Sequence, residues 1–373
     1  MNYQKFSTLL ISIVIVVLLQ SCLVGRFVYY NFADIKDYRI FEKRKLLPAS
    51  QPFHFIHAQR ILKFDSITLN NQKKIPFAQF LEKTNTVAFL IIRKDSIVYE
   101  NYFSKYNAQS IVPSFSMAKS VTSLLIGCAI KDGFIASVND AVYKYLPEFN
   151  TLQLKGITIE HLLNMTSGLK FKESYFNPFS DAAKLYYGKD LKKMLKHLKV
   201  AYPPGTHFEY QSGATQILGL VLQAALKPKS ITEYFQEKIW TPIGAEYDAS
   251  WSLDQKNGTE KTFCCINACA YDFAKIGQLM LNKGQWNGKE IVSQQWVNES
   301  IRQDIQKVGV DYYHYQWWIS PTFKIDGDFY AQGFLGQYIY VNPKKNLVIV
   351  RLGKNPGKTS WIRMFKSIAS QFN

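Results

Sequence analysis

The pattern of apolar and polar residues predicts strands near both ends of the chain. The segment "TVAFLIIRKDSIVYENYF" at 86–103 contains two β-rich runs around Lys94-Asp95, which predicts a hairpin. Strand character returns late, in "YHYQWWIS" and in "FLGQYIYVNPKKNLVIVRLG", where Asn342-Pro343 begins the turn. The last segment, "SWIRMFKSIASQF", has the spacing of an amphipathic helix.

Helical patterns fill the middle of the chain. From Ser116 to about Asp132 the pattern is helical, and Gly133 is placed to end that helix. Further helical segments follow as far as about residue 310, among them "TIEHLLNMT", "ATQILGLVLQAAL" and "AYDFAKIGQLMLNKG". We therefore predict an α+β protein in which both chain ends build one antiparallel sheet, flanked by helices. A mainly helical subdomain at about 134–310 would be inserted, with a site at the junction.

The first residues predict a secretory signal. Lys5 supplies a positive charge, and Leu9 to Leu19 form an apolar run of about eleven residues, short for a membrane-spanning helix. The end of this run, Leu19-Gln20-Ser21-Cys22, resembles a bacterial lipobox, in which the cysteine is lipidated. We expect a signal peptide at 1–21, a lipidated Cys22 and a lead-in or linker at 22–76. The main domain, 77–373, would then face the periplasm or exterior of a bacterial envelope, tethered to a membrane; an uncleaved anchor is the alternative.

The chain of 373 residues is 47% hydrophobic, enough for one large core or two subdomains. Its formal net charge of +17 raises the question of nucleic acid, but the lysines are scattered and no nucleic-acid-binding motif is present. We interpret the charge as a solvated surface that suits a protein beside anionic lipid or envelope polymer.

The sequence predicts no metal site. Cys264, Cys265 and Cys269 lack the paired C-x-x-C spacing and have no nearby histidine, so they are expected to be small buried residues, with a disulfide left open. His54 and His57 have H-x-x-H spacing without a helical setting. No G-x-S-x-G segment exists, which argues against an α/β-hydrolase.

The stretch "PSFSMAKSVTSLLIG" at 113–127 places Lys119 one helical turn after Ser116, in apolar surroundings. Residues three apart on a helix are neighbours, so the amine can reach the hydroxyl. Burial lowers the pKa of a lysine, and a neutral amine can take the proton of a serine that attacks a carbonyl. The alternative is a capping serine and a lysine whose amine reaches solvent.

Beyond these two residues, several motifs in order resemble the serine β-lactamase-like superfamily. They are "SFSMAKSVTSLLIG", "HLLNMTSGL", "PPGTHFEYQSGATQILG", "YDFAKIGQLMLNKG" and "GFLGQYIYVNP". The resemblance runs from about Phe77 to the C-terminus. It is strongest to the branch of class C β-lactamases, D-alanyl-D-alanine carboxypeptidases, esterases and 6-aminohexanoate-dimer hydrolases, and it implies a serine hydrolase with no metal or organic cofactor.

The second family motif, Tyr-x-Asn, appears here as Tyr210-Gln211-Ser212. The resemblance implies that Tyr210 moves a proton to the leaving group, with its pKa lowered by Lys119. Ser212 replaces the asparagine as a smaller hydrogen-bonding residue that still bridges to Lys119. Tyr175, in the loop after "TSGL", is a further candidate for contact with substrate.

The third family motif, Lys-Thr-Gly or His-x-Gly, corresponds to "YAQGFLGQY". Gly333 fits the position where backbone approaches substrate, and the N–H of Phe334 would share an oxyanion hole with that of Ser116. Gln332 is a candidate substrate contact. The motif's cation or imidazole is absent, so a β-lactam carboxylate would be held less strongly unless Arg351 or a loop lysine replaces it.

The sequence therefore predicts a serine hydrolase that cleaves amide or ester bonds through an acyl-enzyme. Ser116 would be the nucleophile, and Lys119 and Tyr210 would move the proton. Two alternatives remain open at this point. One is a β-lactamase or D-Ala-D-Ala carboxypeptidase acting on β-lactams or cell-wall peptides, and the other is an inactive envelope-binding protein of the same fold.

Overall fold

The computed structural model describes residues 32–58, 67–68, 74–151, 154–303 and 309–372. The predicted signal peptide at 1–21 and the predicted lipidation site Cys22 lie outside these residues. None of the described helices has both the length and the apolar character needed to cross a bilayer.

Sixteen strands, numbered β1 to β16 in chain order, lie in the described residues. They are Lys43–Leu46, Ile56–His57, Ile67–Thr68, Lys74–Ile75, Thr86–Arg93, Ser96–Tyr102, Val112–Pro113, Ala249–Ser252, Ile266–Ala268, Gln285–Trp286, Lys289–Glu290, Tyr313–His314, Trp317–Ile319, Phe329–Gly333, Gln337–Asn342 and Leu347–Gly353.

Eight of these strands form the main sheet, in the order β12-β13-β14-β15-β16-β5-β6-β2. Neighbouring strands are antiparallel, except that β2 runs parallel to β6. A second sheet has the order β1-β8-β9-β7, and two small hairpin sheets, β3-β4 and β10-β11, complete the described set. The main sheet joins β5 near the start of the domain to β16 near its end, so the predicted assembly of one sheet from both chain ends is confirmed.

The α-helices of the described residues are numbered α1 to α11. They are Phe77–Lys83, Met117–Lys131, Ile159–Leu163, Asp181–Tyr187, Leu191–Leu195, Ser212–Ala225, Ile231–Phe235, Ala270–Leu281, Gln294–Ser300, Phe323–Asp326 and Trp361–Ala369. One π-helical segment, Gln236–Trp240, directly follows α7.

The main sheet is buried on both faces, as the alternation along β5 shows. Leu90 and Ile92 belong to the large core, whereas Phe89 and Ile91 belong to a smaller core on the opposite face. Helices α1 and α11 cover the smaller core, while α2 and α8 lie on the side of the large one. Gly277 lets α8 approach the sheet closely, because a Cβ there would lie 2.6 Å from Val348 Cγ1. The predicted α+β fold with flanking helices is confirmed.

Local predictions agree with the structure at several turns. Lys94 and Asp95 both have positive φ between β5 and β6, as the hairpin requires. Helix α2 ends at Lys131, and Gly133 adopts a φ of 80° just beyond it. Asn342 begins the turn between β15 and β16, where its side chain accepts a hydrogen bond from the Lys345 N–H.

The segment 134–310 is less purely helical than expected. It contributes β8 and β9, which pair with each other and form the centre of the second sheet, with β1 and β7 at its edges. Part of the lead-in is therefore built into the fold, since β1 pairs with β8. These strands were hard to predict because they are short and, being buried on both faces, show little alternation.

Candidate active site

Ser116 stands at the N-terminus of α2, directly after a tightly held loop. The Ser114 N–H donates to the Ile266 carbonyl at 2.7 Å, which ties the loop to β9. Phe115 has a φ of 43°, an uncommon value for a residue with a side chain, and it turns the chain from β7 into the helix. Ser116 is half-buried and lines a cavity, whereas the helix that follows is buried along nearly its whole length.

Lys119 is 1% exposed and points to Ser116, as its spacing predicted. Its Nζ lies 3.1 Å from Ser116 Oγ, 3.1 Å from Ser212 Oγ and 2.9 Å from the Phe263 carbonyl oxygen. Desolvation lowers the pKa of Lys119 to about 8, although the charge of Glu173 acts in the opposite direction. About a tenth of this amine is therefore neutral at pH 7, far more than for an exposed lysine, and the neutral fraction rises with pH.

The hydrogen bonds of Lys119 fix the direction of proton transfer. The Phe263 carbonyl oxygen can only accept, so it takes one N–H of the amine. Ser212 donates its hydroxyl proton to Glu173 Oε1 at 2.7 Å, so its oxygen accepts a second N–H. A neutral lysine has two N–H groups, and both are then committed. Its lone pair is left facing Ser116 Oγ, where it can accept the proton of the nucleophile.

Glu173 anchors this network, and its role was not apparent from the sequence. Its Oε1 accepts from the Ser212 hydroxyl and, at 2.5 Å, from the Tyr175 hydroxyl. Its Oε2 accepts from the Ser212 N–H at 2.8 Å, at the start of α6. The carboxylate thus fixes the orientation of Ser212 and ties Tyr175 to the same cluster. Glu173 is the one acid in "KFKESYF" and belongs to no recognisable motif, so only the fold shows that it lies beside Ser212.

Tyr210 also lies beside the nucleophile. Its ring centroid is 5.1 Å from Lys119 Nζ, and its hydroxyl interacts with the Ser116 side chain. The ring stacks on Trp318, with centroids 5.5 Å apart. Burial raises the pKa of Tyr210 above its usual value and outweighs the hydrogen bond with Ser116 that lowers it, so the net lowering expected from Lys119 is not present. Tyr210 therefore keeps its proton at neutral pH, and Lys119 is the better base of the two.

The third-motif strand packs directly on the serine loop. A Cβ at Gly333 would lie 2.2 Å from the Ser114 carbonyl oxygen, so this position has no room for a side chain. The close approach brings Phe334 beside the nucleophile, with its ring 5.8 Å from that of Phe115. Ser116 and Phe334 line the same cavity, and their N–H groups stay the predicted donors of the oxyanion hole.

The cavity beside Ser116 has a volume of about 40 Å³. Its lining residues are Ala33, Phe115, Ser116, Tyr175, Ala182, Ala183, Tyr186, Tyr187, Ser212, Phe263, Cys264 and Phe334. Alanines and aromatic rings dominate, and no lysine, arginine or histidine is among the described residues that line it. An apolar, neutral acyl group therefore suits this wall better than a carboxylate.

The cysteine cluster borders the same cavity. Cys264 and Cys265 form a disulfide between adjacent residues, an outcome that the sequence left open. The disulfide directly follows Phe263, whose carbonyl oxygen holds Lys119. Cys128 and Cys269 are buried free thiols, as expected of small core residues.

Two other sequence candidates lie away from the cavity. Gln332, a candidate substrate contact, does not line this cavity: along β14 it alternates with Ala331 and Gly333, so it shares the face of Tyr330. Arg351 is fully buried and donates to the carbonyl oxygens of Gly336, Thr84 and Asn355. It supports the backbone of the strand ends and does not replace the cation absent from the third motif.

The remaining chemistry-bearing residues fall outside the cluster. The exposed side chains of His54 and His57 contact Glu246 and Glu100, respectively. The ring of His207 packs against that of Tyr202. The part of the chain that the structure describes contains no group of acidic, histidine and cysteine side chains able to hold a metal ion.

Comparison with known proteins identifies the family of this chain. The Beta-lactamase family model matches residues 77–370. The chain belongs to the beta-lactamase family. A 6-aminohexanoate-dimer hydrolase of Paenarthrobacter ureafaciens is 24% identical over 324 residues, which cover 80% of this chain and 79% of that protein. A beta-lactamase of Escherichia coli (strain K12) is 28% identical over 137 residues, covering 36% of this chain and 33% of that one.

Solved structures of the family share the fold. A Bacillus anthracis protein named for 6-aminohexanoate-dimer hydrolase activity has a TM-score of 0.80 at 25% identity, covering 92% of this chain and 94% of that chain. A family VIII carboxylesterase has a TM-score of 0.62 at 18% identity, covering 79% and 94%, and at that identity it shows the fold alone. The predicted family is confirmed, and the protein is a serine hydrolase of the beta-lactamase family.

Proposed function

We propose that this protein cleaves amide or ester bonds of small, neutral substrates through an acyl-enzyme on Ser116. The observation that carries the proposal is the position of Lys119 Nζ, 3.1 Å from Ser116 Oγ and held by two acceptors. The Paenarthrobacter ureafaciens relative, named as a 6-aminohexanoate-dimer hydrolase, supports an amide among the substrates.

In the first step the neutral Lys119 amine accepts the Ser116 proton as Oγ bonds to the substrate carbonyl carbon. The carbonyl π electrons move to its oxygen, which the N–H groups of Ser116 and Phe334 stabilise. The C–N or C–O bond then breaks, and Tyr210 gives its proton to the leaving group and regains one from Lys119. Water then attacks the ester on Ser116 and gives up a proton, which the same two residues pass to Ser116 Oγ as the bond between Oγ and the acyl carbon breaks and the acid leaves.

Labelling of Ser116 tests this proposal. The wild-type protein should form a covalent adduct with a fluorophosphonate or a slow ester, found on Ser116 by peptide mass spectrometry. Ser116→Ala should abolish both the adduct and turnover, while Ser123→Ala, which removes a hydroxyl without a hydrogen-bond partner in the described residues from the same helix, should still be labelled at Ser116. Failure of the wild-type protein to form an acyl-enzyme with any ester, amide or β-lactam would instead support an envelope-binding protein of this fold.

For localisation, the proposal rests on the N-terminal sequence alone. We propose that the signal segment 1–21 directs the chain out of the bacterial cytoplasm and that Cys22 carries a membrane-anchoring lipid. The protein should fractionate with membranes when expressed in a bacterium, and Cys22→Ala should block lipid attachment. An intact Met1 found by mass spectrometry would support an uncleaved anchor.

A further inference from the structure

A second, larger cavity lies apart from the nucleophile and is lined by cations. Its volume is about 530 Å³, within the range of small-molecule sites. Its lining residues are Lys36, Tyr38, Arg39, Ser104, Lys105, Tyr106, Ser110, Ile111 and Lys354. Three separate chain segments thus converge on it with four positive charges, and none of the described lining residues is acidic. We refer to it as the basic cavity.

The four cations lack ion-pair partners in the described residues. Elsewhere many lysines pair with acids, as Lys131 does with Glu290 and Lys192 with Glu148. No described carboxylate lies within ion-pair distance of Lys36, Arg39, Lys105 or Lys354. Like charges gathered around one concave surface repel each other, and a bound anion removes that repulsion.

Of the two nearby acids, Asp37 is turned away from the basic cavity, whereas Asp34 lies near its edge. Asp37 is buried, and its carboxylate accepts from the Tyr186 hydroxyl at 2.9 Å and from the Asp34 N–H at 3.0 Å. Asp34 accepts from the Lys36 N–H at 2.8 Å, and burial together with the charge of Asp34 raises the pKa of the Tyr106 hydroxyl. One side of the segment thus faces Tyr186 and the active-site cavity, while Lys36 and Arg39 line the basic cavity.

Donors in the basic cavity are partly pre-oriented. Arg39 Nε donates to the Tyr38 hydroxyl at 3.1 Å. The two Nη groups of Arg39 and the hydroxyl proton of Tyr38 are then left to donate to a bound anion. Lys354 Nζ lies 5.3 Å from the centroid of the Tyr106 ring. A tetrahedral oxyanion matches this set better than a planar carboxylate, because its oxygens can accept charge-assisted hydrogen bonds from several directions at once.

We propose that the basic cavity binds a phosphate-bearing anion. The ligand is either a soluble phosphate ester or the headgroup of an anionic phospholipid, since both present the same tetrahedral oxyanion. The hydrolase reaction proposed for Ser116 needs no such ligand, so this site stands independently of it.

Calorimetric titration of the full chain with inorganic pyrophosphate tests the site. The titration compares the wild type with two variants. The cavity variant is K36Q/R39Q/K105Q/K354Q, and the control variant is K45Q/K256Q/K283Q/K289Q. The control removes the same net charge from exposed positions outside the cavity. The wild type and the control should bind pyrophosphate, with affinity that falls as salt rises, while the cavity variant should bind at least about tenfold more weakly. Ser116-dependent hydrolysis should be equal in all three.

A vesicle arm separates the two sources of phosphate. Wild-type, cavity-variant and control proteins are sedimented with phosphatidylcholine vesicles that contain or lack phosphatidylglycerol. Extra binding to phosphatidylglycerol that is lost only in the cavity variant, and competed by pyrophosphate, assigns the site to a lipid headgroup. Pyrophosphate binding without that difference assigns it to a soluble phosphate ester.

Two results would overturn the proposal. One is that pyrophosphate and phosphatidylglycerol both fail to bind the wild-type protein specifically. The other is that the cavity and control variants lose binding equally, which would show a response to net charge alone. If the quadruple cavity variant unfolds, the double variant K105Q/K354Q repeats the comparison against K283Q/K289Q, with an expected loss of at least about threefold from weaker charge-assisted contacts.

Discussion

Glu173 Oε1 accepts the hydroxyl proton of Ser212 at 2.7 Å, and this one hydrogen bond decides which way Ser212 faces Lys119. Without it, Ser212 could donate to the amine and occupy the lone pair that Ser116 needs. Glu173 does not itself line the cavity, and it acts through Ser212 and Lys119 as a positioning group.

Replacing Glu173 should change both the rate and its pH dependence. Three donors face the carboxylate, and a glutamine has only one acceptor oxygen, so Glu173→Gln should lower kcat/KM about tenfold. The wild-type rate should rise with pH through about 8, as Lys119 loses its proton. Because the charge of Glu173 raises the pKa of Lys119, its removal should move that rise to lower pH.

Rate–pH profiles of three proteins check this prediction. Tyr175→Phe removes one donor to Glu173 but keeps the charge, so its profile should stay at the wild-type position. A Glu173→Gln profile that falls in height without moving would assign the residue a purely structural role.

Tyr210 provides the test of the leaving-group step. Tyr210→Phe keeps the ring that stacks on Trp318 and removes only the hydroxyl beside Ser116, so the fold should be preserved. We expect acylation to slow by on the order of 10². Stopped-flow measurement with an ester and an amide of the same acyl group should show the larger loss for the amide, whose leaving group needs the proton more. Equal rates in the variant and the wild type would remove Tyr210 from the mechanism.

Much of this site could be predicted because its chemistry lies in short local motifs. Ser116 and Lys119 are three apart on one helix, so the sequence alone brings them together, and the structure agrees at 3.1 Å. Tyr210 and Ser212 are distant in sequence, and they were placed only through the resemblance to a family. The same holds for the sheet, whose long hairpins β5–β6 and β15–β16 have clear turn signals.

What could not be predicted depends on the fold. The Phe263 carbonyl oxygen is a backbone group, and any residue type would provide it. Glu173 is one acid among many, and its position comes from the loop after α3. Gln332 was placed in the site because it neighbours Gly333, but strand alternation sends it to the other face.

Gly333 gives a prediction about packing. Gly333→Ala would put a methyl group 2.2 Å from the Ser114 carbonyl oxygen, so either β14 or the serine loop must shift. The free energy of unfolding should fall by about 1–3 kcal/mol, and kcat should fall by about 10² because Phe334 and Ser116 move apart. Gly156→Ala is the matched control, since its new methyl group would meet only Pro204, at 4.0 Å. Thermal unfolding and turnover measured on both variants would contradict us if Gly333→Ala behaved like the control.

The neutral cavity wall leads to a prediction about substrate. A β-lactam carries a carboxylate beside its reacting carbonyl, and charge-assisted hydrogen bonds are roughly twice as strong as neutral ones. Here the described wall offers aromatic rings and alanines, and Arg351 is committed to backbone carbonyl oxygens behind the strand. We therefore expect kcat/KM for short-chain esters or small linear amides to exceed that for penicillins and cephalosporins by at least about tenfold, or about 1.4 kcal/mol of transition-state binding. Both substrate classes should be measured on one purified sample, with Ser116→Ala as the blank. Efficient cephalosporin turnover with negligible ester cleavage would mean that some other group holds the carboxylate and that the third-motif strand does not set the specificity.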